Sequence, residues 1–357
     1  MPEIRINPVS GQGVIIAGER SKRPFNNVCT AASPSFSCPF CFGNEEETPR
    51  TLDQEEYPNQ PGRWAVRSVQ NRYAALTPTS NPWYETDFEL NLGGVPEEIG
   101  LSDESGRQDL SLQWKREEGA GWHEVIIESP DHVTNCGILD VQQWQRLVLF
   151  YARRMSCAFN DPRWQYVQLF KNQGPQAGAS MTHIHSQLLA MPLVPPFVMS
   201  EYRRLKKLRT RESPCVWCAV VNTELKMRTR IVAHTDHFIV LCPFASRFAG
   251  ETWILPREHI SRFDRTPESQ LRELGSLMAK LLGRIEGILP TPSYNIVYRT
   301  APRLDGEFPD TFHWRLEIVP RINGIAGFEI GTGLFINTIV PEDFAKRLRW
   351  DDGIERY

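Results

Sequence analysis

The chain has 357 residues, of which 23% are charged and 41% hydrophobic, and its net charge is −3 at pH 7. That length predicts two domains or one duplicated unit, and the small charge argues against a nucleic-acid partner or a membrane surface. No apolar run is long enough to cross a bilayer and the N-terminus does not resemble a signal peptide, so we expect a cytoplasmic protein. Its eight cysteines are then expected as reduced thiols, available to bind metal.

Two motifs near the start of the chain bear on binding chemistry. Residues 3–25 predict an edge hairpin that ends in a basic cluster with Arg20 and Arg23, which is either a solvated turn or a phosphate contact. Cys38-Pro-Phe-Cys41 follows, and a Cys-x-x-Cys turn brings two thiolates close enough to share a tetrahedral metal. Redox pairs have the same spacing, but the strand–helix context of thioredoxin is missing here, and so we favour a metal.

A long polar segment interrupts the elements that follow. The pattern predicts a strand at 64–76, whereas 77–121 is rich in Pro, Gly and Glu without a period and is interpreted as an inserted loop. A strand at 121–130 ends just before His132. Asp140 then predicts the N-cap of a long amphipathic helix.

The stretch around two histidines carries most of the functional prediction. A strand at 164–170 leads into a glycine-bearing loop, 172–178, whose backbone N–H groups could hold an anion such as phosphate. The apolar run after it predicts another strand, on which His183, His185 and Gln187 point to one face. Two polar residues satisfied on a sheet face would explain the pattern equally well. The functional alternative is a metal-binding or nucleophilic imidazole beside a phosphate.

The same order of features recurs in the second half of the chain. Another Cys-x-x-Cys turn is followed by strands, a histidine, an amphipathic helix that opens at Thr266 and Pro267, and a histidine-bearing strand that ends in proline. The intervals between matching histidines are nearly equal, and the insertion at 77–121 explains the longer interval between the two cysteine motifs. An internal repeat of this size predicts a duplicated fold, which we divide into halves 1–200 and 201–357.

The repeat selects two sets of four metal ligands. Two thiolates and two imidazoles suit zinc, and four protein ligands make a closed structural site. The first set is Cys38, Cys41, His132 and His183, and the second is Cys215, Cys218, His259 and His313. The remaining cysteines follow no such pattern and are predicted in the core: Cys29, Cys136, Cys157 and Cys242. Three histidines have no partner that the sequence identifies: His123, His234 and His237.

One difference between the halves points to the reactive residue. Two residues beyond His183 stands His185, whereas two residues beyond His313 stands Arg315. The metal therefore does not need His185, and the neighbouring metal ligand would hold its strand rigid. A neutral imidazole near pH 7 is a competent nucleophile toward phosphorus.

These motifs resemble the galactose-1-phosphate uridylyltransferase family, a branch of the histidine-triad superfamily, over nearly the whole chain. The resemblance lies in Asn7-Pro-Val-Ser-Gly-Gln, Arg20-Ser-Lys-Arg-Pro24, Cys38-Pro-Phe-Cys41, Asn71, Pro130-Asp-His132, Asn172 through Gln187, and Phe312-His-Trp-Arg-Leu-Glu317. It implies an α+β fold of two tandem histidine-triad-like halves, with a largely antiparallel sheet and flanking helices, in a homodimer. Zinc in both ligand sets is implied to be structural and to activate no water.

The resemblance also implies a reaction. His185 is implied to attack the α-phosphate of a nucleotide sugar, forming a nucleotidyl-histidine and releasing a sugar 1-phosphate. A sugar 1-phosphate or free phosphate then accepts the nucleotidyl group, in a ping-pong sequence. Gln187 is implied to hydrogen-bond the phosphate oxygen as charge develops. The implied substrate-binding residues are Arg20, Arg23, Asn71, Asn172, Gly178, Ser180 and Glu329.

The chain departs from the best-known uridylyltransferases near its C-terminus. Those proteins grip the hexose with a tyrosine–glutamate pair followed by a glutamine. Here Glu329 is kept, but Phe328 stands in place of the tyrosine and Phe335 in place of the glutamine. The Gly-Ala-Ser-Met and Gly-Phe-Glu-Ile-Gly-Thr-Gly forms instead resemble the branch that includes plant ADP-glucose phosphorylases.

Four functions are open on the sequence alone. We rank first a UDP-glucose–hexose-1-phosphate uridylyltransferase and second an ADP-glucose phosphorylase. A zinc-stabilised nucleotide-binding module without catalysis and a hydrolase that uses water as acceptor are the other two. The substitution His185→Ala separates them in part, because a binding module tolerates it and a transferase does not.

Overall fold

A ten-stranded sheet organises the part of the chain that the structure describes. The computed structural model describes residues 3–17, 38–78, 119–211, 214–289 and 293–350. Its strands are β1 (Glu3–Ile6), β2 (Gly13–Ile16), β3 (Thr51–Glu56), β4 (Trp64–Gln70), β5 (Trp122–Ile127), β6 (Tyr166–Gln173), β7 (His185–Met191), β8 (Ile231–His234), β9 (Phe238–Leu241), β10 (Thr252–Pro256), β11 (Tyr294–Arg299), β12 (Arg315–Pro320) and β13 (Phe335–Asn337). Its α-helices are α1 (Val141–Phe159), α2 (Pro196–Leu208), α3 (Val216–Met227), α4 (Glu268–Ile288), α5 (Gly327–Thr332) and α6 (Pro341–Leu348).

The strand order shows the duplication directly. The large sheet runs β3-β4-β5-β7-β6-β11-β12-β10-β9-β8, and its neighbours pair antiparallel throughout. From its outer edge to the centre, the first half of the sheet runs β3-β4-β5-β7-β6 and the second half runs β8-β9-β10-β12-β11. In both halves the two innermost strands are exchanged relative to their order in the chain. The antiparallel pair β6–β11 joins the halves at the centre. The predicted fold class is confirmed; the boundary that we predict at residue 200 falls within α2 and stays a prediction.

Two long helices cover one face of this sheet. Helix α1 has its predicted N-cap, since the Asp140 side chain accepts a hydrogen bond of 2.7 Å from the Gln143 N–H. Helix α4 begins one residue later than predicted, because Thr266 is extended and closes a preceding 3-10 turn, which leaves Pro267 as the N-cap. The helices approach closely at Gly275, where an added Cβ would lie 2.6 Å from the Gln145 Cα.

The opposite face of the sheet differs between the halves. Helices α2 and α3 cover it in the second half, where Trp217 of α3 packs edge-on against Trp253 with ring centroids 5.7 Å apart. In the described residues of the first half, the segment around Phe40 packs on this face beside His185. The predicted site therefore lies on this face of the first half, beside Phe40.

Three details differ from the sequence predictions. His183 and His313 lie just before their strands, which begin at His185 and Arg315. Cys215 is the N-cap of α3, which the sequence did not predict. Of the cysteines predicted in the core, Cys136 and Cys242 are buried, Cys157 is exposed on α1, and Cys29 lies outside the described residues. No helix in the described ranges is both long and apolar enough to cross a membrane.

Candidate active site

The first predicted ligand set comes together in space. The ligand atoms of Cys38, Cys41, His132 and His183 all lie within 4.8 Å of one another. The Cys38 sulfur lies 3.5 Å from Nδ1 of His183, and the Cys41 sulfur lies 3.5 Å from Nδ1 of His132. Tetrahedral zinc, with bonds of about 2.3 Å to sulfur and about 2.0 Å to nitrogen, sets these atoms about 3.5 Å apart. The four side chains therefore have the spacing of a tetrahedral zinc site.

The second ligand set has the same arrangement. The ligand atoms of Cys215, Cys218, His259 and His313 also lie within 4.8 Å of one another. The Cys218 sulfur lies 3.6 Å from Nδ1 of His259 and 3.5 Å from Nδ1 of His313. The two imidazoles are edge to face at 86° in each set. Both clusters thus fit one kind of metal in one geometry, as duplicated sites would.

Hydrogen bonds on the far side of the rings leave Nδ1 available to a metal. Nε2 of His183 donates to the Ser129 carbonyl oxygen at 2.9 Å, and Nε2 of His313 donates to the Pro256 carbonyl oxygen at 2.9 Å. A neutral imidazole that donates through Nε2 presents a lone pair at Nδ1. Burial lowers the pKa of His183 to about 4, which keeps the ring in the neutral, metal-binding form. These donors fit zinc.

The nucleophile predicted from the sequence is buried and oriented. His185 is 5% exposed and its Nδ1 donates a hydrogen bond of 2.8 Å to the His183 carbonyl oxygen. The lone pair of the neutral ring is therefore on Nε2. Burial lowers the pKa of His185 below its usual value, despite the hydrogen bond to His183. Phe40 packs against the ring, with centroids 5.4 Å apart.

Gln187 lies on the same face of β7 as His185 and belongs to a short hydrogen-bonded chain. Its side-chain oxygen is 2.9 Å from Nε2 of His123, a buried residue of β5. Nδ1 of His123 accepts the Ala75 N–H at 3.1 Å. Asn71 approaches the same ring, with its Nδ2 3.1 Å from Nε2. The structure thus brings the predicted nucleotide contact Asn71 next to Gln187, through a histidine for which the sequence suggested no partner.

The predicted phosphate loop turns beside the central strands. It follows β6 and has positive φ at Gly174 and Gly178. A Cβ at Gly174 would lie 2.4 Å from the Ser293 side-chain oxygen, so that only glycine fits the turn. Gly178 and Ser180 are both exposed. The predicted contacts in this loop are therefore accessible to a ligand from solvent.

Asn172 is held by a residue from the other half of the chain. The side-chain oxygen of Asn172 accepts a hydrogen bond of 2.8 Å from Nδ2 of Asn295, its cross-strand neighbour on β11. Nδ2 of Asn295 also donates to the Ala177 carbonyl oxygen at 2.9 Å. Because the side-chain oxygen of Asn172 accepts this hydrogen bond, its NH₂ group points away from Asn295. No sequence signal identified Asn295, since the pairing of β6 with β11 is a long-range contact.

Of the three remaining predicted substrate residues, the structure describes only Glu329. Arg20 and Arg23 lie outside the described residues. Glu329 is on α5, where its carboxylate accepts the Ala326 N–H at 3.0 Å and caps the short helix. Phe335, which stands where a hexose-binding glutamine is expected by resemblance, packs edge-on against Phe248 with centroids 5.2 Å apart.

In the second half, Arg315 and Glu317 stand at the positions that His185 and Gln187 have in the first half, and both form ion pairs. Arg315 lies 2.7 Å from Glu201 of α2 and 2.9 Å from Glu317. Arg247 lies 2.9 Å from both Glu317 and Glu251. Burial raises the pKa of Glu317, but the neighbouring arginines outweigh it and lower that pKa below its usual value. A cavity of about 240 Å³ remains above these pairs, against α2 and the N-terminal loop.

A buried ion pair supports the main chain at the nucleophile. Nζ of Lys171 lies 2.5 Å from the Glu128 carboxylate and 3.1 Å from the His185 carbonyl oxygen. The other carboxylate oxygen of Glu128 accepts hydrogen bonds of 2.5 Å from Tyr151 and Ser186. Lys171 and Glu128 are 1% and 0% exposed in their side chains. The strand that carries His185 is therefore fixed from its core side as well as by His183.

Comparisons with known proteins find two domain families that match this chain. The N-terminal domain of galactose-1-phosphate uridyl transferase matches residues 1–195, and a domain family of unknown function, DUF4921, matches residues 119–351. ADP-glucose phosphorylase from Arabidopsis thaliana is 34% identical over 98% of this chain and 92% of its own length. Galactose-1-phosphate uridylyltransferase from Thermotoga maritima is 25% identical, over 98% of each chain.

Solved structures give the same result. The crystal structure of the Arabidopsis thaliana ADP-glucose phosphorylase with bound ADP-glucose superimposes with a TM-score of 0.75. It is 32% identical and covers 99% of this chain and 100% of its own. The sequence resemblance is thereby confirmed at the level of both fold and family.

Proposed function

This chain belongs to the galactose-1-phosphate uridylyltransferase family, and on that premise we propose that it transfers the adenylyl group of ADP-glucose to phosphate through His185. The products are glucose 1-phosphate and ADP. The observation that carries the proposal is the state of His185. It is a buried neutral imidazole whose Nδ1–H is bound to the His183 carbonyl oxygen, and its Nε2 accepts no hydrogen bond from the described residues. The Gln187 amide lies two residues further along the same face of β7, and the glycine turn follows β6, which pairs with β7.

The reaction balances without a general base at the nucleophile. Nε2 of His185 forms a bond to the α-phosphorus while the bond from that phosphorus to the oxygen of glucose 1-phosphate breaks. The imidazole of the adenylyl-histidine then carries positive charge, and the His183 carbonyl oxygen that accepts Nδ1–H stabilises it. In the second step a phosphate oxygen attacks the phosphorus, the P–N bond breaks, ADP leaves, and His185 returns to the neutral form.

The other residues of the site have binding roles in this proposal. The NH₂ groups of Gln187 and Asn172 and the exposed backbone around Gly178 and Ser180 are positioned to donate hydrogen bonds to phosphate oxygens. Asn71 would contact the nucleotide. Arg20, Arg23 and Glu329 keep their predicted substrate-binding roles, and we propose a homodimer as in the resembling family. Zinc in the two ligand sets supplies structural support only.

Adenosine and phosphate are preferred over uridine and hexose 1-phosphate for two reasons. The relative at 34% identity is an ADP-glucose phosphorylase, whereas the Thermotoga maritima uridylyltransferase is 25% identical. In addition, Phe335 stands where the best-known uridylyltransferases have a hexose-binding glutamine, and it packs on Phe248, so the chain departs from their pattern. A uridylyltransferase, which ranks first on the sequence alone, is the second candidate. The reason is that the Thermotoga maritima uridylyltransferase matches 98% of this chain and 98% of its own length.

The test is to incubate the purified protein with ADP-glucose or UDP-glucose, labelled in the nucleotidyl group, without an acceptor. We expect acid-labile label on the protein from ADP-glucose and its release as ADP on addition of phosphate. His185→Ala should take up no label while it keeps its metal, since His185 belongs to neither ligand set. His234→Ala, on the far edge strand β8, is the matched control and should label normally.

Each other outcome identifies a different function. Label from UDP-glucose alone, released by galactose 1-phosphate, would make the protein a uridylyltransferase. Substrate consumed at the same rate with and without phosphate would indicate a hydrolase. Tight binding of a nucleotide sugar without labelled protein, and unchanged in His185→Ala, would indicate a binding module and contradict the transfer proposal.

A further inference from the structure

We propose that His123 is a positioning residue, which fixes the direction of the Gln187 amide so that its NH₂ group faces the transferred phosphoryl group. The proposal rests on the proposed function for the role of Gln187. It also makes a claim about the tautomer of His123 that can be tested without any substrate. Three hydrogen-bonding groups surround the buried His123 ring, from Ala75, Asn71 and Gln187.

The first step concerns the proton on His123. The Ala75 peptide N–H, which can only donate, points at Nδ1 from 3.1 Å. Nδ1 is therefore the acceptor nitrogen, and the proton of the neutral ring is on Nε2. The Asn71 amide nitrogen also lies 3.1 Å from Nε2. The Asn71 oxygen accepts the Tyr73 N–H at 2.8 Å, which fixes the orientation of that amide. Its NH₂ group therefore lies beside the protonated Nε2 as a neighbour and forms no hydrogen bond with it.

The second step concerns the Gln187 amide. Because Nε2 of His123 donates, the atom of Gln187 that lies 2.9 Å from it must be the oxygen. The NH₂ group of Gln187 then points away from His123. In the described part of the chain no residue accepts a hydrogen bond from that NH₂ group. The amide therefore presents two free N–H donors in a direction that the imidazole determines.

The third step links this direction to the reaction. Side chains two residues apart on a strand lie on one face, and β7 places Gln187 on the face of His185. His123 is held on the neighbouring strand β5, opposite Leu189, and its ring is 6% exposed. Burial lowers the pKa of His123, which keeps the ring neutral. A donor that is oriented before the substrate arrives stabilises developing charge without reorganisation.

The experiment compares His123→Leu, His123→Gln, Gln187→Ala and the double variant His123→Leu/Gln187→Ala. A glutamine at 123 can still donate an N–H near the position of Nε2, whereas leucine removes the donor. The rate of single-turnover labelling by ADP-glucose is measured against substrate concentration. His234→Leu is the matched control, and thermal unfolding with metal content checks the fold of every variant.

We expect His123→Leu to lower the maximal labelling rate about 10- to 100-fold, as removal of an outer-shell partner does, with little change in half-saturating substrate. His123→Gln should recover a large part of that rate. The double variant should label no more slowly than Gln187→Ala alone, because the two residues act through one amide. Losses that multiply in the double variant, or wild-type labelling by His123→Leu, would overturn the proposal.

A second measurement separates this proposal from the proposed function. Long-range ¹H–¹⁵N correlation on histidine-labelled protein reports the tautomer of each ring, and the His123 signal is the one that His123→Gln loses. We expect the Nε2–H tautomer. A proton on Nδ1 would overturn the proposal even in an active enzyme. Should no nucleotide sugar label the wild-type protein, the proposed function fails, while the tautomer still decides whether His123 holds Gln187.

Discussion

Replacing Lys171 with methionine should destabilise the protein far more than the loss of one surface charge. The Lys171 ammonium group is 1% exposed and lies 2.5 Å from Glu128, whose side chain is fully buried. Methionine has a similar length but no charge and no donor. Among the described residues, the variant would leave the Glu128 carboxylate with the Tyr151 and Ser186 hydroxyl donors alone, and the His185 carbonyl oxygen would lose its hydrogen bond from Lys171.

The magnitude follows from the burial of both partners. Removal of one member of a buried ion pair typically costs about 3–5 kcal/mol, because an uncompensated charge stays in a medium of low dielectric. That is a large share of a total stability of about 5–15 kcal/mol. The double variant Lys171→Met/Glu128→Gln removes the stranded charge as well. We therefore expect it to be more stable than Lys171→Met alone by at least about 1 kcal/mol.

The assay is equilibrium unfolding in urea, monitored by tryptophan fluorescence, with equal slopes required for a valid comparison. Lys346→Met is the control: Lys346 is 67% exposed in its side chain and lies 3.6 Å from Asp343, so its loss should change stability by about 0–1 kcal/mol. A stabilising buried pair of Lys171 and Glu128 is refuted if Lys171→Met is as stable as Lys346→Met. It is also refuted if the effects of Lys171→Met and Glu128→Gln simply add in the double variant.

Two further predictions concern the metal clusters and the helix packing. Elemental analysis should find two zinc ions per wild-type chain and one in either Cys41→Ser or Cys218→Ser. Of the two variants, only Cys41→Ser should lose labelling in its folded fraction, because its cluster contains His183, which lies beside His185. Equal metal content in all three proteins would contradict the assignment of the two zinc sites. Gly275→Ala should lower the free energy of unfolding, measured in urea, by about 1–3 kcal/mol, because the new Cβ would lie 2.6 Å from the Gln145 backbone. This loss should outweigh the better helix propensity of alanine. A gain in stability would contradict the close packing of α1 and α4.

Much of the site was predictable because its chemistry repeats along the chain. A Cys-x-x-Cys turn and two histidines at matching intervals occur twice, and the structure gathers both sets as predicted. The special position of His185 follows from comparing the halves, since Arg315 stands in its place in the second. Asp140 marked its helix because an N-cap is a local interaction between neighbouring residues.

The parts that the sequence did not predict depend on contacts between distant residues. His123 had no visible partner because Gln187 and Ala75 reach it only across strand pairs and a turn. Asn295 approaches Asn172 only because β6 and β11 are neighbours in the sheet. Buried Lys171 and Glu128 are ordinary charged residues in the sequence, and only their burial together makes them a pair.

The proposed function depends on a covalent bond between Nε2 of His185 and the nucleotide, and peptide mapping detects this bond. The protein is mixed with ADP-glucose without phosphate, quenched at alkaline pH to preserve a P–N bond, digested, and analysed by mass spectrometry with fragmentation. We expect one adenylyl group on His185, which is lost after mild acid treatment and absent in His185→Ala. An adenylyl group on another residue, or full labelling of His185→Ala, would contradict it.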